Sequence, residues 1–500
     1  MLAIGAVTSR SARIWMRVRE PGRHTLSWTG AHGGPGGRIT LDLSDSPRDL
    51  TGSVTIREGL IPDSRHRVTL WRGNDDALAT GSFVTAPADA ASAPLKYSIA
   101  LMSCHQPFAP DGQVAAATEA MLEAVNRVLL EHRVRAVVMG GDQLYSDYPR
   151  SASLLDPAHF REVAPPGRAE LLDCTADEVR QLFHQRYRHF WNIRGWRELL
   201  ANYPCYPILD DHEIVDNWGS AEEHGSGKWQ AFREGAFQAY ADYQGSRVCR
   251  EHVDTPVCFD YEVVFADVAL HVMDLRSNRR VGNDPQLVSP AQMQAFDSFL
   301  ERHADKTALF LVLSVPLLHL PQTLTRAAAK ITPDGEDFSD RWSSAGHCRD
   351  RDRILRLLHA HQERHPRQRI VLLSGDIHIG CLHRISWRDG SPSFYQFISS
   401  GVTHDAGRLV QHLSAAIIRG NRRVRVSHGD GESDLQARLR LVPGERGARG
   451  NPCGSLNVGI VEIERSAPGA PPSLRFLLYS HEGSSPRCRY RSPPITADCS

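Results

Sequence analysis

Four short segments of the sequence carry side chains that bind metal ions, and each directly follows an apolar stretch. They are Ser103-Cys104-His105-Gln106, Gly141-Asp142-Gln143-Leu144-Tyr145, Asp210-Asp211-His212-Glu213 and Ser374-Gly375-Asp376-Ile377-His378. Thiolate, phenolate and imidazole favour a transition metal, whereas a set of carboxylates suits a hard cation. Two ions held side by side can activate water and stabilise charge on a substrate undergoing hydrolysis. The segments therefore predict a dinuclear metal centre.

A single aspartate after a strand is weak evidence, because aspartate is common in turns and at helix N-termini. Four such segments in one chain are much harder to obtain from turn chemistry alone. A centre of two ions also needs a shared carboxylate, and Asp142 is the predicted bridge because Gly141 lets the backbone turn closely. Tyr145 can reach the same ion as Asp142 if a helix begins at Gly141 or soon after.

The elements that must position these segments are the buried strands of an α/β domain. After residue 95 apolar strands alternate with helical segments, and the continuous apolar character of the strands predicts burial on both faces. The predicted strands cover residues 97–102, 134–139, 206–209, 268–273, 309–313 and 370–373. In layered α/β folds the site lies where the carboxyl ends of strands meet the loops. We therefore expect the polar residues after these strands to converge on one rim.

Helices and loops are expected between these strands. The predicted helices cover residues 114–131, 177–200 and 405–426. The proline-containing segment 146–176 is predicted to be irregular and to cover the rim. A glycine-rich stretch at 429–454 is predicted to be a loop, followed by a final strand pair near 455–480.

Residues 1–90 have a different pattern, because short β-rich segments alternate with turn residues. These segments are residues 12–18, 25–28, 38–43, 53–56, 66–71 and 81–85. Their spacing predicts a small β-sandwich. Residues 86–94 are small and interrupted by proline, which is typical of a linker, so the catalytic domain is predicted to span residues 95–500.

Charge and composition argue against several classes of function. The chain has 58 Lys and Arg against 58 Asp and Glu, so its formal net charge is zero and gives no signal for nucleic-acid binding. No apolar run reaches membrane-spanning length, and the first residues lack the pattern of a signal peptide or a twin-arginine signal. We therefore expect a soluble, cytoplasmic protein that acts on a small molecule.

In order and spacing, the four segments resemble the motifs of the alkaline phosphatase D (PhoD-like) family of calcineurin-type metallophosphatases. The N-terminal region, ending Phe83-Val84-Thr85-Ala86-Pro87, is similar to the immunoglobulin-like module that precedes the catalytic domain in that family. The resemblance implies an α/β fold, a layered α/β/β/α sandwich, with an N-terminal all-β domain of the immunoglobulin or fibronectin-III type. It also implies a phosphoesterase that hydrolyses phosphomonoesters, phosphodiesters or both by attack of a metal-bound hydroxide.

The resemblance also implies two sets of metal ligands. The ligands of a ferric ion, Fe³⁺, would be Cys104, Asp142, Tyr145 and His378. The ligands of a second, divalent cation would be Asp142, Asp211 and Asp376. The resemblance favours Ca²⁺ for this second ion, with Mn²⁺, Zn²⁺ and Mg²⁺ as alternatives.

Two further residues are candidates for direct roles in catalysis. His212 would act as general acid or as a hydrogen-bond donor to phosphate. Arg276, in Asp274-Leu275-Arg276, is similar to the arginine of the family's Asp-x-Arg segment. It would either clamp phosphate or form an ion pair, and the sequence favours neither alternative.

The chain departs from the family pattern at two places. Where the wider superfamily has a metal-binding histidine in its fourth motif, His319 is displaced within Ser314-Val315-Pro316-Leu317-Leu318-His319. Asp216-Asn217 replaces a pair of asparagines, and the extra carboxylate would either join the second metal or repel a substrate phosphate.

Two other functions are open to the same sequence. A dinuclear centre can hydrolyse other ester or amide bonds, because an activated water also attacks carbonyl carbon. A non-catalytic binding protein on this scaffold is the other alternative, with the β-domain as its functional part. The intact ligand set argues against the second of these. The physiological substrate and the oligomeric state have no signal in the sequence.

Overall fold

The computed structural model describes residues 1–30, 33–34, 36–73, 75–248, 258–282, 284–320, 340–344, 346–405, 407–420, 422–427 and 435–496. The strands are β1 Leu2–Val7, β2 Ala12–Arg17, β3 Arg23–Gly30, β4 Gly36–Asp42, β5 Thr51–Ile56, β6 Arg65–Arg72, β7 Asp76–Val84, β8 Lys96–Met102, β9 Val134–Met139, β10 Cys205–Pro207, β11 Tyr261–Phe265, β12 Val268–Met273, β13 Ala308–Leu313, β14 Arg369–Ser374, β15 Cys381–Trp387, β16 Phe394–Ile398, β17 Arg422–Arg425, β18 Gln436–Leu441, β19 Val458–Glu464, β20 Ser473–Glu482 and β21 Ser485–Arg491. The α-helices are α1 Ala116–Glu131, α2 Pro157–Val163, α3 Ala176–Phe190, α4 Arg194–Asn202, α5 Gln230–Tyr243, α6 Pro290–Arg302, α7 Cys348–Arg364 and α8 Arg408–Arg419.

The N-terminal region is all-β, as the sequence predicts. Its strands form two antiparallel sheets, in the orders β1-β2-β5 and β4-β3-β6-β7. Strand β6 alternates exposed and buried residues, so one of its faces lies on the core and the other on the surface. Ile14, Leu26, Leu70 and Phe83 lie in this core. Strand β1, which pairs with β2, lies outside the predicted β-rich segments.

Two large sheets form the centre of the rest of the chain. One has six strands in the order β10-β9-β8-β19-β20-β21, and the other has eight in the order β11-β12-β13-β14-β16-β15-β18-β17. Strands β8, β9 and β10 run parallel, as do β12, β13, β14 and β16. Parallel strands end together, so the loops that follow them meet at the same edge of each sheet.

The two sheets pack face to face, and helices cover their outer faces. In β8, Ile99 and Leu101 point into the core between the sheets, whereas Ala100 and Met102 point towards α1, α3, α4 and α5. Helices α6 and α7 cover the outer face of the eight-stranded sheet. Both faces of these strands are therefore buried, which explains their continuous apolar sequence. The predicted layered α/β/β/α sandwich is confirmed.

Several element predictions need correction. The helix predicted over 177–200 is two helices, α3 and α4, because the backbone between them is extended at Ile193. The segment predicted to be irregular contains α2, which begins because Asp156 accepts hydrogen bonds from two backbone N–H groups of its first turn. The predicted helix over 405–426 ends at Arg419 and is followed by β17. The loop predicted at 429–454 contains β18, while residues 428–434 lie outside the described residues.

Membrane insertion by a helix has no support in the described part of the chain. None of the helices there combines the length and the apolar character needed to cross a bilayer.

Candidate metal centre

The four segments converge where the two large sheets meet. Cys104 follows β8, Asp142 follows β9, Asp211 follows β10 and Asp376 follows β14. The backbones approach closely here, since a side chain at Gly375 would overlap Ser103 Oγ and Gly140 O. The sheets therefore bring together Cys104 and Asp376, which are 272 positions apart in the chain, as the strand pattern predicts.

The backbone is left-handed at four of the predicted metal ligands. The φ angles are 59° at Cys104, 57° at Asp142, 65° at Asp376 and 53° at His378. This conformation costs about 1–3 kcal/mol per residue, and it persists only where the surrounding structure holds the chain in place. Such positions cluster at ligand-binding sites, and these four surround one point of the molecule.

One part of the centre, which we call the cysteine–tyrosine cluster, comprises Cys104, Asp142, Tyr145 and His378. The Cys104 thiol donates to Asp142 Oδ2 at 3.2 Å, and the Tyr145 hydroxyl donates to the same oxygen at 3.4 Å. Cys104 and Tyr145 are fully buried. Burial raises the pKa of the Cys104 thiol, and burial together with the charge of Asp142 raises the pKa of Tyr145 well above its ordinary value. Without a cation, both groups therefore stay protonated.

Tyr145 was expected to reach the same ion as Asp142 if a helix began at or soon after Gly141. No helix begins there. Residues 140–149 form an irregular loop. The left-handed backbone at Asp142 turns the chain instead, and it brings the Tyr145 hydroxyl to the Asp142 carboxylate without a helical turn.

His378 is linked to the other members of this cluster indirectly, through Ser400 and His404. Its backbone N–H donates to Ser400 Oγ at 2.8 Å, and the same hydroxyl lies 3.2 Å from Cys104 Sγ. The imidazole stacks on His404 with ring centroids 4.0 Å apart. Burial, and after it repulsion from any positive charge on the neighbouring rings of His404 and His212, lowers the pKa of His378 well below its ordinary value. A neutral imidazole is the form that binds metal.

The other part, which we call the carboxylate cluster, comprises Asp210, Asp211 and Asp376. One oxygen from each carboxylate lies within 4.8 Å of the others. Asp211 also belongs to a second group of potential ligands, with Asp142 and His212, that meets the same limit. Asp211 is therefore common to both groups and lies close to Asp142, the predicted bridge.

These donor groups fit bound cations. Asp142 Oδ1, Asp211 Oδ1 and His378 Nδ1 are buried and make no hydrogen bond to any described residue. A buried carboxylate oxygen without a hydrogen bond is costly, and a metal ion satisfies it. Burial, and after it the charges of Cys104 and Asp210, raise the pKa of Asp142 well above its ordinary value. Cys104 and Tyr145 contact Asp142, whereas Asp210, Asp211 and Asp376 form a group of carboxylates, and the binding of two different ions by these residues stays a prediction.

Arg276 lies fully buried below the carboxylate cluster. Its Nε donates to Asp210 Oδ1 at 2.6 Å and its Nη1 to Asp340 Oδ1 at 2.6 Å, while Nη2 lies 3.5 Å from Asp211 Oδ1. Burial raises the pKa of Asp210 to about 6 even though Arg276 lowers it. Of the two alternatives for Arg276, these contacts favour the ion pair. Through this ion pair Arg276 would position Asp211. A direct contact between Arg276 and phosphate stays a prediction.

His212 lies beside both clusters with its Nδ1 directed at Asp147, 2.8 Å away. Its ring stacks on Tyr145 at 4.0 Å between centroids. Burial lowers the pKa of His212, but the charges of Asp147 and Asp211 outweigh burial and raise this pKa well above its ordinary value. The side chain is 16% exposed, so a protonated imidazole is accessible to a substrate. This geometry suits a general acid.

The two departures from the family pattern also have defined places. The backbone N–H of Asp216 donates to Asp147 Oδ2 at 2.6 Å, and the Asp216 side chain is 59% exposed. The backbone N–H of Asn217 donates to Asp211 Oδ2 at 2.7 Å, so this residue holds a predicted ligand. His319 is half-buried in the loop after β13, and burial lowers its pKa well below the ordinary value.

Sequence reasoning missed four residues that hold the centre together. Glu213 accepts hydrogen bonds from the backbone N–H groups of Asp142, Gln143 and Asp210 at 3.0, 2.6 and 3.0 Å. The sequence does contain a signal for Glu213, because an acidic side chain after a buried strand needs several hydrogen-bond donors. The other three are Asp147, His404 and Arg341. No local sequence pattern marks them, because they belong to irregular segments that only the fold brings close to the centre.

Chemistry rather than cavity size identifies this centre. A cavity of about 670 Å³ lies elsewhere, between the N-terminal sheets and α3 and α4. Its lining includes Arg17, Arg72 and Arg188, and it contains none of the predicted ligands.

Comparisons with known proteins agree with the sequence resemblance. A solved structure of PhoD shares 15% identity with a TM-score of 0.61, over 99% of this chain and 92% of that chain. Purple acid phosphatase PPD1 from yellow lupin (Lupinus luteus) seeds shares 9% identity with a TM-score of 0.55, over 99% and 73%. These likenesses show the fold, and no match was found among curated protein sequences. The family model for PhoD-like phosphatases matches residues 99–439. The chain therefore belongs to the PhoD-like phosphatases, a family of metal-dependent phosphoesterases.

Proposed function

We propose that this protein hydrolyses small-molecule phosphomonoesters, phosphodiesters or both at the centre formed by the two clusters. The observation that carries the proposal is the meeting of two groups of potential metal ligands, which share Asp211, beside the buried thiol of Cys104 and the hydroxyl of Tyr145. Among the described residues, Asp142 Oδ1, Asp211 Oδ1 and His378 Nδ1 find no hydrogen-bond partner. In this proposal the ligands of Fe³⁺ are Cys104, Asp142, Tyr145 and His378. The ligands of the second cation, Ca²⁺ or else Mn²⁺, Zn²⁺ or Mg²⁺, are Asp142, Asp211 and Asp376.

When bound, the ions activate water and neutralise charge on the phosphoryl oxygens. The protein positions the reacting groups through its own contacts. Glu213 fixes the loops of Asp142 and Asp210 to one another through backbone hydrogen bonds. Asp147 orients His212 through Nδ1, so Nε2 is the atom that carries a proton towards the substrate. As the bond from phosphorus to the leaving oxygen breaks, His212 transfers this proton to that oxygen.

The test begins with the metal content of the purified full chain, followed by chelation and reconstitution with iron and then with each divalent cation. A panel of aryl phosphate monoesters and diesters measures turnover after each step. We expect turnover only with iron and a second cation present, and Ca²⁺ as the most effective second ion. Asp142→Asn is the matched control, because it keeps the shape of the side chain and removes its charge.

Two outcomes would contradict the proposal. A fully reconstituted protein that turns over no phosphoester, yet hydrolyses a carboxylic ester or an amide, would favour another dinuclear hydrolase. Equal turnover by wild type and Asp142→Asn would place the chemistry outside this centre.

A further inference from the structure

Three arginines lie near the carboxylates of the centre, and they differ in exposure. The side chains of Arg276 and Arg279 are 0% exposed, whereas that of Arg341 is 17% exposed. Arg276 and Arg279 both pair with Asp340. They therefore neutralise charge below the centre, and Arg341 is the one of the three that a bound substrate can reach.

The guanidinium of Arg341 lies at the open side of the carboxylate cluster. Its Nη1 contacts Asp376 Oδ2, and the Asp376 side chain is itself 10% exposed. Asp210 and Asp211, the other members of the cluster, are more deeply buried. Arg341 thus stands beside the outermost carboxylate of the site.

The residues on either side of Arg341 hold it in place. Asp340 is fixed by Arg276 and accepts a hydrogen bond from Ser220 Oγ at 2.9 Å. The Trp342 indole is buried and donates to Val315 O at 3.1 Å. A surface arginine normally loses conformational freedom when it binds an anion. This entropy cost is smaller for Arg341, because the side chains of both neighbouring residues are already held in place.

The charge around the opening explains why a cation is needed there. Asp376 and Asp216 are exposed to solvent in part, and Asp147 lies directly behind His212. A phosphate ester is an anion and is repelled by these carboxylates. A guanidinium offers a planar pair of donors that matches two phosphoryl oxygens, which an ammonium group does not.

We propose that Arg341 is a substrate-binding residue whose guanidinium, held beside Asp376, binds the non-bridging oxygens of the phosphoryl group. The inference rests on the proposed function and deepens it. Arg341 then selects substrates that carry a tetrahedral anion at the centre over neutral esters and amides.

The experiment compares metal-reconstituted wild type with Arg341→Gln and Arg341→Lys. Arg168→Gln is the matched control, because Arg168 is a partly exposed arginine paired with a carboxylate, Glu178, at 2.9 Å outside the centre. Titration calorimetry measures the dissociation constant of inorganic phosphate at saturating metal. Metal content is measured on the same samples, and KM and kcat are measured with an aryl phosphate.

We expect Arg341→Gln to raise the phosphate dissociation constant ~10–100-fold, the usual range for loss of hydrogen bonds to a charged group. KM should rise more than kcat falls, Arg341→Lys should lie in between, and Arg168→Gln should match wild type. Unchanged phosphate affinity in Arg341→Gln would overturn the inference. A loss of affinity that disappears once metal is restored to saturation would also overturn it, because Arg341 would then serve only Asp376.

Failure of the proposed function has a separate signature. A reconstituted wild type that neither binds phosphate nor hydrolyses any phosphoester would overturn both proposals. A wild type that binds phosphate and turns over phosphoesters, with Arg341→Gln equal to it, would overturn only the role of Arg341.

Discussion

The two clusters of the centre lie side by side but are stabilised in different ways. Apart from Asp142, the side chains that hydrogen-bond to the Cys104 thiol and the Tyr145 hydroxyl are neutral: Ser103, Ser400 and His404. Burial lowers the pKa of His404 to about 4, so this ring adds no charge near neutral pH. The carboxylate cluster instead contacts two guanidinium groups, those of Arg276 and Arg341.

This difference indicates how strongly each cluster depends on its ion. The thiol and the phenol must lose protons before they bind a metal, and only a highly charged cation can remove protons whose pKa values burial has raised. The carboxylate cluster is already partly neutralised by arginine, so its ion adds less stabilisation. We therefore expect a tightly held ion in the first cluster and an exchangeable one in the second.

Asp142→Asn gives the largest expected effect, because Asp142 is the predicted bridge. Asparagine tolerates the left-handed backbone at this position, so the fold should survive. We expect kcat/KM on an aryl phosphate to fall by ~10⁴-fold or more, since residues that act as a unit lose most of their catalysis together. Thermal unfolding of the apoprotein serves as the control. An active variant, or one that unfolds far below wild type, would contradict the bridging role.

His212→Ala should give the next largest effect, a fall in kcat of ~10²–10⁴-fold with metal content unchanged. The loss should be greatest for esters with poor leaving groups, because they depend most on proton transfer. Asp147→Asn, which leaves the imidazole in place but removes its charged partner, should cost ~10–100-fold. Equal losses on aryl and alkyl esters would instead assign His212 to binding phosphate.

The sequence predicted the part of the site that depends on strand order. Asp142 and Asp376 follow continuous apolar strands, and the fold brings the ends of such strands together whatever lies between them. Residues supplied by irregular segments could not be found in this way. Asp147 reaches His212 only because the loop after β9 folds back, and Arg341 depends on buried neighbours on both sides.

The N-terminal sheets were predicted from short β-rich segments that alternate with turn residues. Exposed and less exposed residues alternate along β3, β4 and β6, but β1 and β2 are mostly buried. Errors arose where local pattern and tertiary packing compete. The segment 177–200 has the periodicity of a single helix, yet the helix is interrupted at Ile193, and α4 packs against β1. Helical propensity alone does not predict such a break.

Treatment with a chelator selective for Ca²⁺ separates the two clusters. We expect activity to fall by ~10²-fold, because a bound cation contributes several kcal/mol to charge stabilisation, while iron content stays constant. Added Ca²⁺ should restore activity. Metal analysis after gel filtration, before and after treatment, measures both ions. If iron leaves first or both ions leave together, the proposed difference between the clusters is wrong.

Tyr145→Phe gives the smallest expected change in rate and the most specific test of the cysteine–tyrosine cluster. The variant keeps the ring that stacks on His212 and removes only the hydroxyl that contacts Asp142. Phenolate bound to Fe³⁺ gives a visible charge-transfer band, whereas a tyrosine that only packs gives none. We expect iron-loaded wild type to be coloured, and Tyr145→Phe to lose or shift the band and to bind iron ~10-fold more weakly. Cys104 would add its own band, so the presence of colour does not identify the ligand. The difference between the visible spectra of wild type and Tyr145→Phe does. Identical spectra from iron-replete samples would remove Tyr145 from the ligand set and leave Cys104 as the next assignment to test.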